Sequence, residues 1–330
     1  MKISIRRLIY LLLLGILTFT LAAACSKTID NSTTNLKQST EDCRQVEHVM
    51  GETCIPVSPK RVITLWTSIL ANTLALDIKP VATSYYTGEP FPQYLQKKVD
   101  GIEFVGNITE PSLEKILLLK PDLILANYRL KNIYKQLSEI APTVMMDFPG
   151  TPPPWKQQLV DLAKVMDKEE NGQMLMDKYW QRIETLKQKL GIDAASPKDN
   201  HRHQFQISVA SISSDYGIWA YGEKHAVGMI LNDIGLQRPP AQRGDFYYIN
   251  NISEERLSDI DGDVLFFLHW GSKDTKETLE KLQEKPLWRQ LKAVQQNQVY
   301  FVDAGHWHSF DILSVNAVID DLFKYLVNTP

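Results

Sequence analysis

Four of the seven tryptophans in this sequence, Trp66, Trp219, Trp270 and Trp307, stand where runs of β-branched and aliphatic residues give way to loops. Tyr85 and Tyr221 occupy the same kind of position. Arg129 closes the segment Asn127-Tyr128-Arg129 after another such run, and Arg238 and Arg243 flank the loop that begins Pro239-Pro240. These side chains suit binding rather than bond making. Indole and phenol faces wall in a bulky, partly apolar guest, and a guanidinium pairs two oxygens at once while staying charged at any working pH. Trp66, Tyr85, Arg129, Trp219, Tyr221, Arg243, Trp270 and Trp307 are therefore the expected ligand contacts.

Other chemistries find less support. His306 and His308 alternate, so on an extended segment they would share a face, and imidazole is a common metal ligand. A direct metal site needs a third and fourth ligand, and no carboxylate or cysteine stands beside them at zinc-like spacing. His201 and His203 fall in a polar stretch, and the acids Asp259, Asp261 and Asp263 depart from the EF-hand pattern and read as a helix-to-strand turn. The sequence has no Gly-x-Ser-x-Gly elbow and no Gly-rich phosphate loop. No catalytic residue, directly bound metal or permanent cofactor is expected.

The elements that must position these residues alternate. Strands are expected over 61–66, 80–84, 123–127 and 143–147, with helices near 69–76, 112–119 and 132–140 between them. Prolines at 152–154 interrupt the pattern. The next proline-free stretch, 155–190, has Leu175, Tyr179, Ile183, Leu186 and Leu190 at helical spacing, and Gly191 can end it. Twenty residues from Glu170 span about 30 Å, enough to cross between domains. Alternation resumes with strands near 205–212, 264–268 and 299–302 and helices near 226–234, 275–284 and 312–326. Such alternation predicts an α/β chain of two lobes with parallel sheets on either side of one long helix. The expected division is 43–165 for the first lobe, 166–191 for the connecting helix and 192–330 for the second lobe.

With 330 residues, 44% of them hydrophobic and 23% charged, the chain can bury one large core or two medium ones. Lys2, Arg6 and Arg7 precede an apolar stretch from Leu8 to Leu21, the pattern of an export signal over 1–24. Without those three bases the formal charge moves from −3 to −6, which argues against nucleic acid as a partner. Leu21-Ala22-Ala23-Ala24-Cys25 resembles the bacterial lipobox, although its leucine sits four rather than three positions before the cysteine. That resemblance implies lipidation at Cys25, a membrane anchor, and a polar tether over 25–42. Cys43 and Cys54 are then the remaining thiols, and in an oxidising envelope they are expected to pair across a hairpin that turns near Gly51.

The two halves echo one another. Ser112-Leu113-Glu114 and Ser253-Glu254-Glu255 each open a helix, and each helix runs into an aspartate-led strand. Glu114 to Asp122 and Glu255 to Asp263 are both eight residues. Each serine is placed to cap its helix, and each glutamate falls in a first turn, where the helix dipole favours negative charge.

Taken with Met50-Gly51-Glu52-Thr53, Pro59-Lys60-Arg61-Val62-Ile63, the stretch from Glu114 to Ile124, and Ser138-Glu139-Ile140-Ala141-Pro142-Thr143-Val144, the chain resembles the substrate-binding lipoproteins of ferric-siderophore and cobalamin uptake served by ABC transporters. The resemblance runs from Cys43 to the end. It implies two Rossmann-like lobes joined by one long helix, and an iron(III)-siderophore held between them, so that iron enters only as a chelate. It also implies a permease with its ATPase as partners, and docking glutamates corresponding to Glu114 and Glu255, with Glu254 leaving the second open by one residue. A monomer anchored in the cell envelope is expected. A cobalamin or haem receptor of the same fold is the alternative, and a direct metal-ion receptor a more distant one.

Overall fold

The computed structural model describes residues 43–86, 91–146, 154–192 and 205–327. The leader, Cys25, the tether, His201 and His203 lie outside the described residues. Among the described residues, no helix is long and apolar enough to cross a membrane.

The described chain begins with a hairpin. Strands β1 (Cys43–His48) and β2 (Gly51–Pro56) pair antiparallel, with His48 opposite Gly51. Gly51 has φ of +119°, a backbone region that an L side chain rarely adopts. Cys43 and Cys54 form the disulfide. The hairpin does not stand alone: Val46 and Ile55 enter the main core, and the Thr53 hydroxyl donates to the Thr143 carbonyl.

The first sheet is parallel throughout and ordered β5-β4-β3-β6-β7, from strands β3 (Val62–Leu65), β4 (Ala82–Tyr85), β5 (Glu103–Asn107), β6 (Leu123–Asn127) and β7 (Thr143–Met146). The chain builds outward from β3 in one direction and from β6 in the other, so the crevice beyond their carboxyl ends is a topological switch point. Trp66 directly follows β3, and Tyr128-Arg129 directly follow β6. β3, β4, β6 and β7 are buried along their whole length, which is why they read as continuous rather than alternating apolar runs.

The second sheet is ordered β10-β9-β8-β11-β12, from β8 (Ile207–Ser213), β9 (Gly217–Tyr221), β10 (Tyr248–Ile252), β11 (Val264–His269) and β12 (Val299–Asp303). β8, β11 and β12 are parallel, but β9 runs antiparallel to both β8 and β10. The chain is thus α/β in two sheets as expected, with the second sheet mixed. The turn 214–216 is short enough for a hairpin, and a parallel crossover needs a dozen residues or more.

Helices α1 (Thr67–Ala75), α2 (Leu113–Leu118), α3 (Trp155–Val165), α4 (Glu169–Leu190), α5 (Ala226–Ile234), α6 (Ala304–Trp307) and α7 (Ile312–Leu322) complete the frame. The stretch 155–190 is two helices rather than one, because Asp167 takes a left-handed conformation with φ of +55°. The two then cross closely: a Cβ on Gly172 would lie 2.8 Å from the Ala163 methyl. Gly191 ends α4 at φ +70°. Lys156 on α3 and Tyr179 on α4 both donate to the Asp233 carboxylate on α5, tying the rod to the second sheet.

The matched spacing has a structural meaning. The Asp122 carboxylate accepts from the backbone N–H groups of Lys60 and Arg61 just before β3, and Asp263 accepts from Gln206 N–H just before β8. Each aspartate pins the entry to the central strand of its sheet. The helix starts match less well. Ser112 caps α2 by accepting from Lys115 N–H, whereas the Ser253 side chain caps nothing in the backbone and Glu254–Ile260 is a kinked 3₁₀ segment.

A second connection between the halves comes from α7. The Asp311 carboxylate caps this helix by accepting from Ser314 N–H, and it also accepts from the Tyr94 hydroxyl at 2.9 Å. Ile312 N–H donates to the Asn72 side chain on α1. Burial raises the Asp311 carboxyl to about 6, and the hydrogen bonds it accepts oppose that rise. Tyr94→Phe removes a donor from this buried carboxylate, with an expected cost of about 1.5–3 kcal/mol at pH 7.5. The loss should be smaller at pH 5, where the carboxyl is protonated. Urea unfolding of both proteins at the two pH values measures it, and equal midpoints at pH 7.5 would remove the role given to this contact.

Candidate functional site

Where the edges of the two sheets face each other lies a cavity of about 870 Å³. Trp66, Ser68, Tyr85, Tyr86, Asn127, Tyr128 and Arg129 wall it from the first half. Tyr247, Tyr248, Trp270, His308, Ser309 and Phe310 wall it from the second. Gln158 of α3 closes its back. Beyond Tyr248, Trp270 and His308 an annex of about 450 Å³ opens, bounded by Trp219, Tyr216 and Asp215.

Local geometry aims these residues. The Asn127 side chain accepts from Arg129 N–H at 2.9 Å, an Asx turn that bends the chain sharply after β6. The Arg129 guanidinium then sits over the indole of Trp66, 5.7 Å from its ring centre, a cation–π contact, and Arg129 lines the cavity. Tyr85 stacks on Phe91 at 4.3 Å and meets Tyr86 edge-on. On the other side, Trp270 is 42% exposed, and its indole N–H donates to the Ser211 hydroxyl at 3.0 Å, which fixes the ring at the cavity mouth. His308 lies stacked against Tyr248, and its Nδ1 is 3.0 Å from the Tyr221 hydroxyl. Burial pushes the His308 imidazole down to about 4, so it is neutral at physiological pH.

Five of the eight expected contacts, Trp66, Tyr85, Arg129, Trp219 and Trp270, reach the cavity or its annex. The other three do not. Trp307 is fully buried, stacked on Phe266 with its N–H donated to Asp321 at 2.8 Å. It belongs to the core because residues 304–307 form a turn of helix that points its ring inward. Tyr221 is also fully buried, and it acts behind the wall by holding His308. Arg243 is exposed away from the cavity and donates its Nε–H to the Arg238 carbonyl. Arg238 is 2% exposed and donates from Nη2 to the Tyr221 carbonyl and the Gln242 side chain, so it organises the second sheet.

The helical turn also separates the two histidines. Residues two apart on a helix point in roughly opposite directions, so His306 and His308 do not share a face. Among the described residues no group of three or more His, Cys, Asp or Glu side chains could hold a metal ion. Tyr247 and Tyr248 are cavity residues that sequence reasoning did not single out. β10 follows Gly244-Asp245 and contains Asn250-Asn251, so it reads as loop, and the signal that could have found it is the aromatic run Phe246-Tyr247-Tyr248. Gln158 gave no signal, since only the packing of α3 brings it to the cleft.

Residues 62–305 match the Periplasmic binding protein family, and the chain belongs to it. A relative described as a probable siderophore-binding lipoprotein, YfiY of Bacillus subtilis, is 32% identical over 93% of this chain and 94% of its own length. The achromobactin-binding periplasmic protein of Dickeya dadantii is 30% identical, covering 81% of this chain and 86% of its own. Among solved structures, Staphylococcus aureus SirA complexed with staphyloferrin B superposes with a TM-score of 0.71 at 29% identity, over 86% of this chain and 98% of SirA.

The segment that carries His308 is held by an ion pair. Burial would lower the His306 imidazole, but its close pairing with Asp303 and its hydrogen bond to Asp321, with the charges of both acids, outweigh it and raise the group to about 9. His306 is therefore charged at neutral pH. Its contribution to stability is complete below the ordinary histidine value of about 6.5 and fades as pH rises through about 9. His306→Gln should lower the urea midpoint at pH 6.5 and have a smaller effect at pH 9.5. A difference independent of pH would mean that the charge plays no part.

Proposed function

We propose that this chain is the substrate-binding component of an ABC importer, that it captures an iron(III)-siderophore complex in the cleft between its two halves, and that it delivers the complex to a membrane permease. The observation that carries the reading is the cleft itself: a cavity of about 870 Å³ at the facing sheet edges, walled by aromatic rings, with the Arg129 guanidinium on its rim. A ferric siderophore is bulky and partly apolar and presents oxygen atoms to its receptor, and those are the features such a wall recognises. The names of the relatives at 30–32% identity support the same ligand class. The reading requires no chemistry on the chelate and no resident cofactor.

Ligand contact falls to Trp66, Tyr85, Arg129 and Trp270 in the cavity and to Trp219 in the annex. Tyr248 and His308 join them. Docking on the permease falls to Glu114 and Glu255. Both carboxylates are exposed, and Leu117 and Leu118, 57% and 71% exposed one turn beyond Glu114, give the first of them an apolar margin. The Glu255 carboxyl is held below its usual range by the hydrogen bonds from its own backbone and from Ser253, so it stays charged in mildly acidic conditions. Lipid on Cys25, with 25–42 as tether, would keep a monomeric receptor at the membrane that holds the permease and its ATPase. The halves to which these roles belong are 43–165 and 192–330, with 166–191 between them.

Arg129→Ala should weaken binding of a ferric siderophore by about 1.5–3 kcal/mol, the value of a hydrogen bond to a charged group. Quenching of tryptophan fluorescence during titration reads this directly, and an unchanged affinity would take Arg129 out of the site. Glu114→Lys and Glu255→Lys should each leave the same titration intact and abolish iron uptake when the variant replaces the receptor in cells. Loss of chelate binding in either variant would place that residue in the cleft instead.

A further inference from the structure

Charge is scarce among the described residues of this cleft. Among the described residues facing the main cavity, Arg129 is the one cation, and no carboxylate accompanies it. Its guanidinium rests on the Trp66 ring rather than against an acid, so its charge is left for the guest. Among the described residues, the adjoining annex adds one acid, Asp215, and no Lys or Arg. Other cations in the neighbourhood do not line the cavity or its annex. Arg238 is enclosed behind Tyr221, Lys156 is paired with Asp233, and Lys131 lies over Tyr128. The imidazole on the wall, His308, is neutral. The remaining polar side chains are hydroxyls and amides, among them those of Ser68, Tyr128, Gln158 and Ser309, which donate or accept without adding charge.

Ferric chelates differ in charge according to their donors. Three hydroxamates, each losing one proton, neutralise iron(III). Two hydroxamates with one doubly deprotonated α-hydroxycarboxylate leave one negative charge, and three doubly deprotonated catecholates leave three. A trianion placed in this cleft would bring two charges with no partner into a partly desolvated aromatic surround, where unpaired charge is costly. A monoanion is matched by Arg129 alone. We infer that the guest is a ferric chelate of net charge near −1, of the mixed hydroxamate and α-hydroxycarboxylate type, and that Arg129, the single cation among the described residues of the cleft, selects against tris-catecholates. This inference rests on the ferric-siderophore reading above and narrows it.

The test is a set of tryptophan-quenching titrations at pH 7.5 with three preformed probes: a ferric tris-hydroxamate, a ferric citrate-dihydroxamate and a ferric tris-catecholate. The citrate-dihydroxamate should bind at least tenfold more tightly than the tris-catecholate. Arg129→Ala should bring it to within threefold of the neutral tris-hydroxamate, because the charge it pairs with is gone. Thr109→Lys, which adds a second cation at an exposed position on the cavity wall, should narrow the gap to the tris-catecholate by about fivefold or more, as expected for a second opposite charge at close range. A tris-catecholate that binds as tightly as the citrate-dihydroxamate, or a tris-hydroxamate that binds more than threefold tighter than it, would overturn the charge inference and leave the ferric-siderophore reading standing. Failure of all three probes to bind would overturn that reading and the inference with it.

Discussion

The fixed separation of the two sheets is the constraint on which the rest of this structure depends. Helix α4 sets the span, and two sets of buried polar contacts keep it from acting as a loose hinge. At one end Lys156 and Tyr179 converge on Asp233. At the other, Asp311 and the first N–H of α7 reach Tyr94 and Asn72 across the sequence. Burial pushes the Tyr179 phenol well up, so it remains a donor. A buried carboxylate that loses its partners is left with the full cost of desolvation, so these contacts resist sliding of one half against the other.

A cleft preformed in this way spends little binding energy on closure. Its walls are locked from behind: Trp270 by Ser211, His308 by Tyr221, and Arg129 by the Asx turn at Asn127. Trp307, Tyr221 and Arg238, which resemble ligand contacts in composition, form the layer that holds the wall. That division explains why the chain can carry many aromatic residues and arginines near the cleft and still place, among the described residues, one cation on the main cavity wall.

The pseudo-symmetry of the two halves extends from the core to the surface. Asp122 and Asp263 fasten the entries of β3 and β8 in the same manner, and Glu114 and Glu255 precede them by the same eight residues. Because the aspartates are anchored to the central strands and the strands to a rigid frame, the two exposed carboxylates keep a set spacing. A fixed spacing of this kind is what simultaneous engagement of two sites on one partner requires.

The alternation of strand and helix, the disulfide hairpin, the family motifs, and the placement of Trp66, Tyr85, Arg129 and Trp270 at or just after strand ends were all legible in the residues, because period, turn chemistry and strand-end position are local properties of the chain. β5, β9 and β10 were not, since short strands interrupted by Gly and Asn carry little periodic signal, and with β10 the sequence reading lost Tyr247 and Tyr248. Tertiary structure alone decided which residues near a strand end face the cleft. Trp307 and Trp270 look equivalent in sequence, but one turn of helix over 304–307 buries the first against Phe266 while the second stands at the mouth. It also decided the charge of the site, because whether an arginine is available to a guest depends on the groups that surround it in space.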